Sequence, residues 1–169
     1  FENVKRDLIA IKGYDEDSQK PFYNKDIYDF ENKKWKNEPT FFQSYERYRS
    51  SVSAAFLDDK SAQFLVVRVK HRSPVFAKEL VDLIVREINE LQRNNDIKEA
   101  DASLEYLQNQ LTQTQQINIK SSINSLIENQ IKTKMFANVR SDYIIKPIDN
   151  SFIPELRSSP QRTRFVITY

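Results

Sequence analysis

A single glycine, Gly13, and no cysteine occur in this chain of 169 residues. A loop that cradles phosphates needs several glycines, so the glycine-rich nucleotide-binding motifs are excluded. Without cysteine there is neither a disulfide framework nor a thiolate metal site. His71 is the sole histidine. Zinc ligand sets therefore lack members, and a histidine-based nucleophilic triad has one candidate only. No apolar run approaches the roughly 18 residues that a membrane-spanning helix requires. An excess of one charge is missing as well: 26 basic residues face 24 acidic ones, for a net charge of +2. That near balance gives no general support to nucleic-acid binding. The first residue is Phe1, the only methionine is Met135, and no signal peptide is evident. Together with the apolar close "FVITY", these features predict a segment excised from a longer protein and cut near a membrane.

What is present suits a polar, helix-rich chain with much exposed surface. Apolar residues make up 39% and charged residues 30%, and the mean hydropathy is -0.67. The 12% aromatic content argues against wholesale disorder. Residues 1–40 interleave charges and aromatics, with Pro21 and Pro39. They predict short helices and loops packed by Phe22, Tyr23, Tyr28, Phe30 and Trp35. An aromatic–basic platform for RNA or sugar is the alternative reading, and the neighbouring Asp15, Glu16, Asp17, Asp26, Asp29 and Glu31 weaken its nucleic-acid form. "FFQSYERYRSSVSAAF" fits a helix. Phe64–Val69 is the clearest strand, preceded by a polar "DDKSAQ" turn. In "RSPVFAKELVDLIVREINELQ", Ser73 is an N-cap candidate with Pro74 at the first helical position. Phe76, Leu80, Leu83, Ile84, Ile88 and Leu91 form its apolar stripe.

From Ile97 to Phe136 the helical pattern runs without glycine or proline. Ile97, Ala100, Leu104, Leu107 and Leu111 step by three and four, the spacing of a coiled-coil seam. The phase of the stripes carries more information. At about 100° per residue, Leu80, Ile84 and Ile88 share the side of Leu91, whereas Leu104, Leu107 and Leu111 lie opposite. Ile123, Ile127 and Ile131 return to the first side. A straight helix would change its buried face twice, which predicts breaks or changes of packing partner near Arg93–Asp96 and near Thr112–Asn118. Asp96 with Glu99 fits a capping box. The glutamine-rich second site is the better turn. "YIIKPI", Tyr143–Ile148, reads as a returning strand ended by Pro147.

No catalytic constellation emerges. His71, between Lys70 and Arg72, reads as a polar strand-end residue. Asp58 with Asp59, and Asp15–Asp17, could serve as paired carboxylates, but solvated turns explain both more simply. Lys132, Lys134 and Arg140 are candidate contacts for an anionic glycan or lipid phosphate; a solvated helix face is the plainer reading. Arg157, Arg162 and Arg164 fit lipid headgroups, although the positive-inside tendency would place such residues on the cytoplasmic side.

Three blocks carry a resemblance: "ASLEYLQNQL" (Ala102–Leu111), "LIENQIKTKMFANVRSDY" (Leu126–Tyr143) and "IDNSFIPELRSSPQR" (Ile148–Arg162). They resemble conserved periplasmic blocks of Wzz-type chain-length determinants, the polysaccharide co-polymerases. "SPVFAKELVDLIVREIN" is similar to the helix that follows the base strand in that family. The resemblance covers about Gln63 to Arg162, and the run from Leu126 to Arg162 is its specific part. Asn150 departs from it, standing where the family pattern usually has proline.

The resemblance implies an inner-membrane protein with a transmembrane helix at each end. It further implies a periplasmic domain that assembles into ring-like homo-oligomers and works with a Wzy-type polymerase on lipid-linked glycan. The resulting expectation is a non-enzymatic α+β domain. Its small mixed base (1–95 and 138–160) lies near the membrane and carries a protruding α-helical hairpin (about 96–137), and 161–169 begins the membrane-proximal segment. Expected oligomer-packing residues are Leu80, Ile84, Ile88, Leu104, Leu107 and Leu111. Expected glycan or partner contacts are Gln113, Gln115, Gln116, Lys132, Lys134 and Arg140. No cofactor, metal or nucleic acid is expected, and localisation would be the periplasmic face of the bacterial inner membrane. Two alternatives belong to other classes: the external domain of a tyrosine-autokinase exporter, and a periplasmic coiled-coil adaptor.

Overall fold

A computed structural model describes residues 2–59 and 62–153. It is mixed α and β, with four helices and three two-stranded antiparallel sheets among the described residues. The chain divides into two units, one running up to Asp82 with the described residues from Asn150 onward, the other spanning Leu83–Asp149.

The first unit opens with α1 (Glu2–Ala10), which buries Leu8 and Ala10. β1 (Ile11–Asp15) and β2 (Lys20–Tyr23) follow as a β-hairpin with an irregularity between Ile11 and Gly13. A Cβ on Gly13 would run into the ring of the exposed Phe22, which would have to turn aside. A smaller hairpin pairs β3 (Tyr28–Asp29) with β4 (Lys34–Trp35). The scarcity of glycine shows in both turns, because Gln19 and Lys33 take left-handed backbone angles with φ of 53° and 52°. Short helices and loops are the sequence expectation for residues 1–40; α1 meets it, and the two hairpins correct the rest. Their strands are too short and too charged for period-two alternation to register.

Of the expected aromatic cluster, Tyr28 is buried, Tyr23 and Trp35 are half-buried, and Phe22 and Phe30 are exposed. Tyr28 meets Phe30 and Trp35 edge-on at 5.1 and 5.0 Å. Lys5 and Arg6 lie over Trp35 and Phe30. The aromatics thus assemble a small layer capped by cations.

α2 (Phe41–Ser51) starts on a full capping box, in which Thr40 accepts from the Gln43 N–H while the Gln43 side chain accepts from the Thr40 N–H. It ends earlier than the sequence suggests. β5 (Val52–Asp59) begins at once and pairs with β6 (Ala62–Val69), matching Val52 to Val69 and Phe56 to Leu65. The β-branched Val52 and the long ladder outweigh the alanines that read as helix. Ser73 caps α3 (Pro74–Gln113) as expected: its Oγ accepts from the Phe76 N–H at 3.2 Å. Phe76 and Leu80 then join Leu8, Ala10, Ile11 and Tyr28 among the buried residues of this unit.

α3 does not break at Arg93–Asp96. The burial changes face instead. Leu80 is buried on one side, whereas Asn89 and Ala100 are buried on the other, and Ile88 and Leu91, which continue the first side, are exposed. One unbroken helix serves two units, and each part buries the side its own neighbours cover. Asp96 is accordingly no cap: it lies mid-helix and accepts from Gln92 one turn earlier. The second expected interruption is present at Thr114–Gln116, after which α4 (Ile117–Val139) begins. No strand forms over Tyr143–Ile148, for a reason given below. Pro154, Arg157, Pro160, Arg162, Arg164 and the whole of 161–169 lie outside the described residues, as do the side chains of Asp58 and Asp59.

Candidate functional site

Within the second unit, α4 returns alongside α3. Lys134 pairs with Asp101 at 2.6 Å, and Arg93 donates to the carbonyls of Arg140 and Ser141 at 2.7 and 2.8 Å. Ala100 and Ala137 are fully buried. Ile123 is buried too, and Leu104, Leu107 and Leu111 are half-buried, while Leu126 and Ile131 are exposed. An open groove of about 410 Å³ runs between the two helices, with Tyr106, Leu107 and Leu126 as its apolar lining and Glu99, Ser103 and Gln130 as polar groups.

The best-ordered chemistry in this unit is polar. Asn89 is 5% exposed. Its Oδ1 accepts from the N–H groups of Ile144 and Ile145 at 2.9 and 2.8 Å, and its Nδ2 donates to the Ile145 carbonyl at 2.9 Å. One side-chain amide thus does for this segment what a neighbouring strand would do, which is why the expected strand has no ladder. Tyr143 adds a hydrogen bond from its hydroxyl to Asp96 at 2.5 Å. That bond to the neighbouring carboxylate raises the Tyr143 pKa above its ordinary value. Asn89, Arg93 and Asp96 step by four and three along one side of α3. That polar stripe was the available sequence signal for the clasp.

The expected contact residues are not brought together. Gln113 closes α3, and Gln115 and Gln116 sit in the linker, all three exposed. Sixteen residues of helix, about 24 Å, separate Gln116 from Lys132 along α4. Lys132 pairs with Glu128 at 2.7 Å and Lys134 with Asp101, so each of these cations already has a carboxylate. Arg140 lies over the Phe136 ring at 4.7 Å. On the early part of α3, Leu80 is buried within the chain, Ile84 half-buried and Ile88 exposed. His71 lies two residues past the end of β6 and is half-buried.

Among the described residues, no group of three or more metal-ligating side chains converges, and no helix is long and apolar enough to cross a membrane. No family model, no curated protein and no solved structure matches this chain.

Proposed function

We propose that this chain is the periplasmic domain of a polysaccharide co-polymerase of the Wzz type. In this reading it is a non-enzymatic scaffold whose copies pack side by side and, with a Wzy-type polymerase, limit the length of a lipid-linked surface glycan. The finer architecture belongs to the same proposal: a mixed base beside the inner membrane, with α3 and α4 as its protruding helical hairpin. The sequence blocks at Ala102–Leu111, Leu126–Tyr143 and Ile148–Arg162 motivate it.

The observation that carries the scaffold is apolar surface left uncovered by the paired helices. Tyr106, Ile117, Leu126, Ile131 and Val139 are 63%, 82%, 50%, 53% and 76% exposed. Two helices alone cannot cover both of their faces, and side-by-side copies would cover the remainder. Sedimentation of the 169-residue chain at increasing concentration tests assembly. Self-association is expected, and Leu126→Glu with Ile131→Glu should abolish it while leaving the helical circular dichroism unchanged. A strict monomer at all concentrations removes the scaffold as a property of this domain. Deletion of the full gene tests function: a shift in the length distribution of surface glycan on a gel is expected, and an unchanged distribution ends the reading. The open groove between α3 and α4 favours, as a second reading, an adaptor that accepts one partner helix. It predicts monomers and an unchanged glycan.

A further inference from the structure

His71 occupies a small polar enclosure in the first unit where three elements meet. Its Nδ1 accepts the Ser73 N–H at 3.2 Å, and Ser73 is fully buried. An acceptor nitrogen carries no proton, so the proton of the neutral ring sits on Nε2, which faces the Leu8 carbonyl at 3.4 Å near the end of α1. Phe76, in the first turn of α3, packs edge-on against the ring at 4.6 Å. The ring therefore links the last turn of α1 to the N-terminus of α3. It does so only while Nδ1 is bare. A second proton would set an N–H against the Ser73 N–H, a repulsion with no acceptor between them.

The charged groups acting on the ring are Arg47 from α2 and Arg72 beside it, both cations. Asp7 of α1 is paired with Arg6 at 2.7 Å and with the Tyr23 hydroxyl. α3 contributes Phe76 and the Ser73 backbone. Burial, the largest influence, holds the His71 pKa below its ordinary 6.5; the hydrogen bond to the Leu8 carbonyl works against it, and Arg47 and Arg72 add smaller pushes in the same direction as burial.

We propose that His71 is an acid-sensitive latch joining α1 to the start of α3, opened by uptake of one proton at Nδ1. The direction of the pH effect follows from linkage. The folded state binds this proton less readily than the unfolded chain, so the latch contributes its full stability above pH 6.5 and loses it as pH falls toward the depressed folded value. The inference does not depend on the proposed function.

With one histidine in the chain, its ring C–H resonances report this group alone. Titration of the intact 169-residue chain should give a midpoint below 6.5, and the slowed exchange of the Ser73 amide should be lost through the same transition. His71→Asn keeps an acceptor near Ser73 but cannot titrate, so its melting temperature should stay level across the pH range where the wild-type value falls. A His71 midpoint at or above 6.5 overturns the latch. So does a Ser73 amide that stays protected below the midpoint. Both are read on the wild-type protein and stand whether or not the variant folds.

Discussion

The two units are held together by different means. The first buries large side chains, Leu8, Ile11, Tyr28, Phe76 and Leu80, contributed by α1, two hairpin strands and the start of α3. The second buries two alanines, one isoleucine and one asparagine, and relies on side chains of α3 that grip backbone after α4. Apolar burial scales with area and tolerates small shifts, whereas the asparagine clasp depends on three hydrogen bonds and their geometry. The lesson is that a pair of helices with a thin apolar seam can still be fixed in register by a few polar contacts, here complete at Asn89 although the Arg93 Nε is buried without a partner.

Substitutions in each unit sharpen that contrast. The largest effect is expected in the first unit. Phe76→Ala should cost about 3–5 kcal/mol, read as a lower urea midpoint. A loss well under that range would show that this unit is no more tightly packed than the other. Next comes Asn89→Leu, which fills the site but leaves two N–H groups and a carbonyl without partners. A cost of about 2–3 kcal/mol is expected, with faster amide exchange confined to Ile144 and Ile145. Retained protection there would mean that the clasp is incidental.

Tyr143→Phe should cost about 1 kcal/mol, the usual worth of one hydrogen bond. Its pH dependence has a definite sign. The folded pKa is raised above the ordinary 10.0, so the bond stabilises below pH 10 and is lost as pH rises through the folded value. Wild-type and variant urea midpoints should therefore differ at neutral pH and converge in strong alkali. Lys134→Ala, which removes an exposed ion pair, should cost under about 1 kcal/mol, and less in high salt. Lys33→Gly should stabilise by about 0.5 kcal/mol, because its φ of 52° suits glycine; a melting temperature that falls instead would show that the Lys33 side chain contributes to the turn.

Legibility in the sequence followed the same divide. The helical elements were readable where signals are local: the Ser73 cap, Pro74 at the first position of α3, and the glutamine-rich interruption before α4. The stripe phases announced a change of buried face near Arg93–Asp96; the change is present but falls earlier, between Leu80 and Asn89. What they could not say was whether the backbone breaks there, since an unbroken helix with two sets of neighbours leaves the same pattern. The strand reading of Tyr143–Ile148 failed because β propensity reports side chains that suit a pleated, half-buried surface, not the presence of a partner strand. Asn89 supplies the partner from 55 residues away, and nothing within Tyr143–Ile148 announces it; the signal lay in the polar stripe on α3. The turns at Gln19 and Lys33 were hidden for the opposite reason, because neither residue type advertises a left-handed conformation.

A strand set into a sheet is pinned at many rungs and can neither slide nor twist without losing several of them. The run after Tyr143 is hung on one peg, the Asn89 amide, seconded by a tether from its own tyrosine ring. Such a mounting indexes the chain lengthwise to a single residue. A one-residue deletion ahead of Ile144 would therefore present the wrong peptides to Asn89.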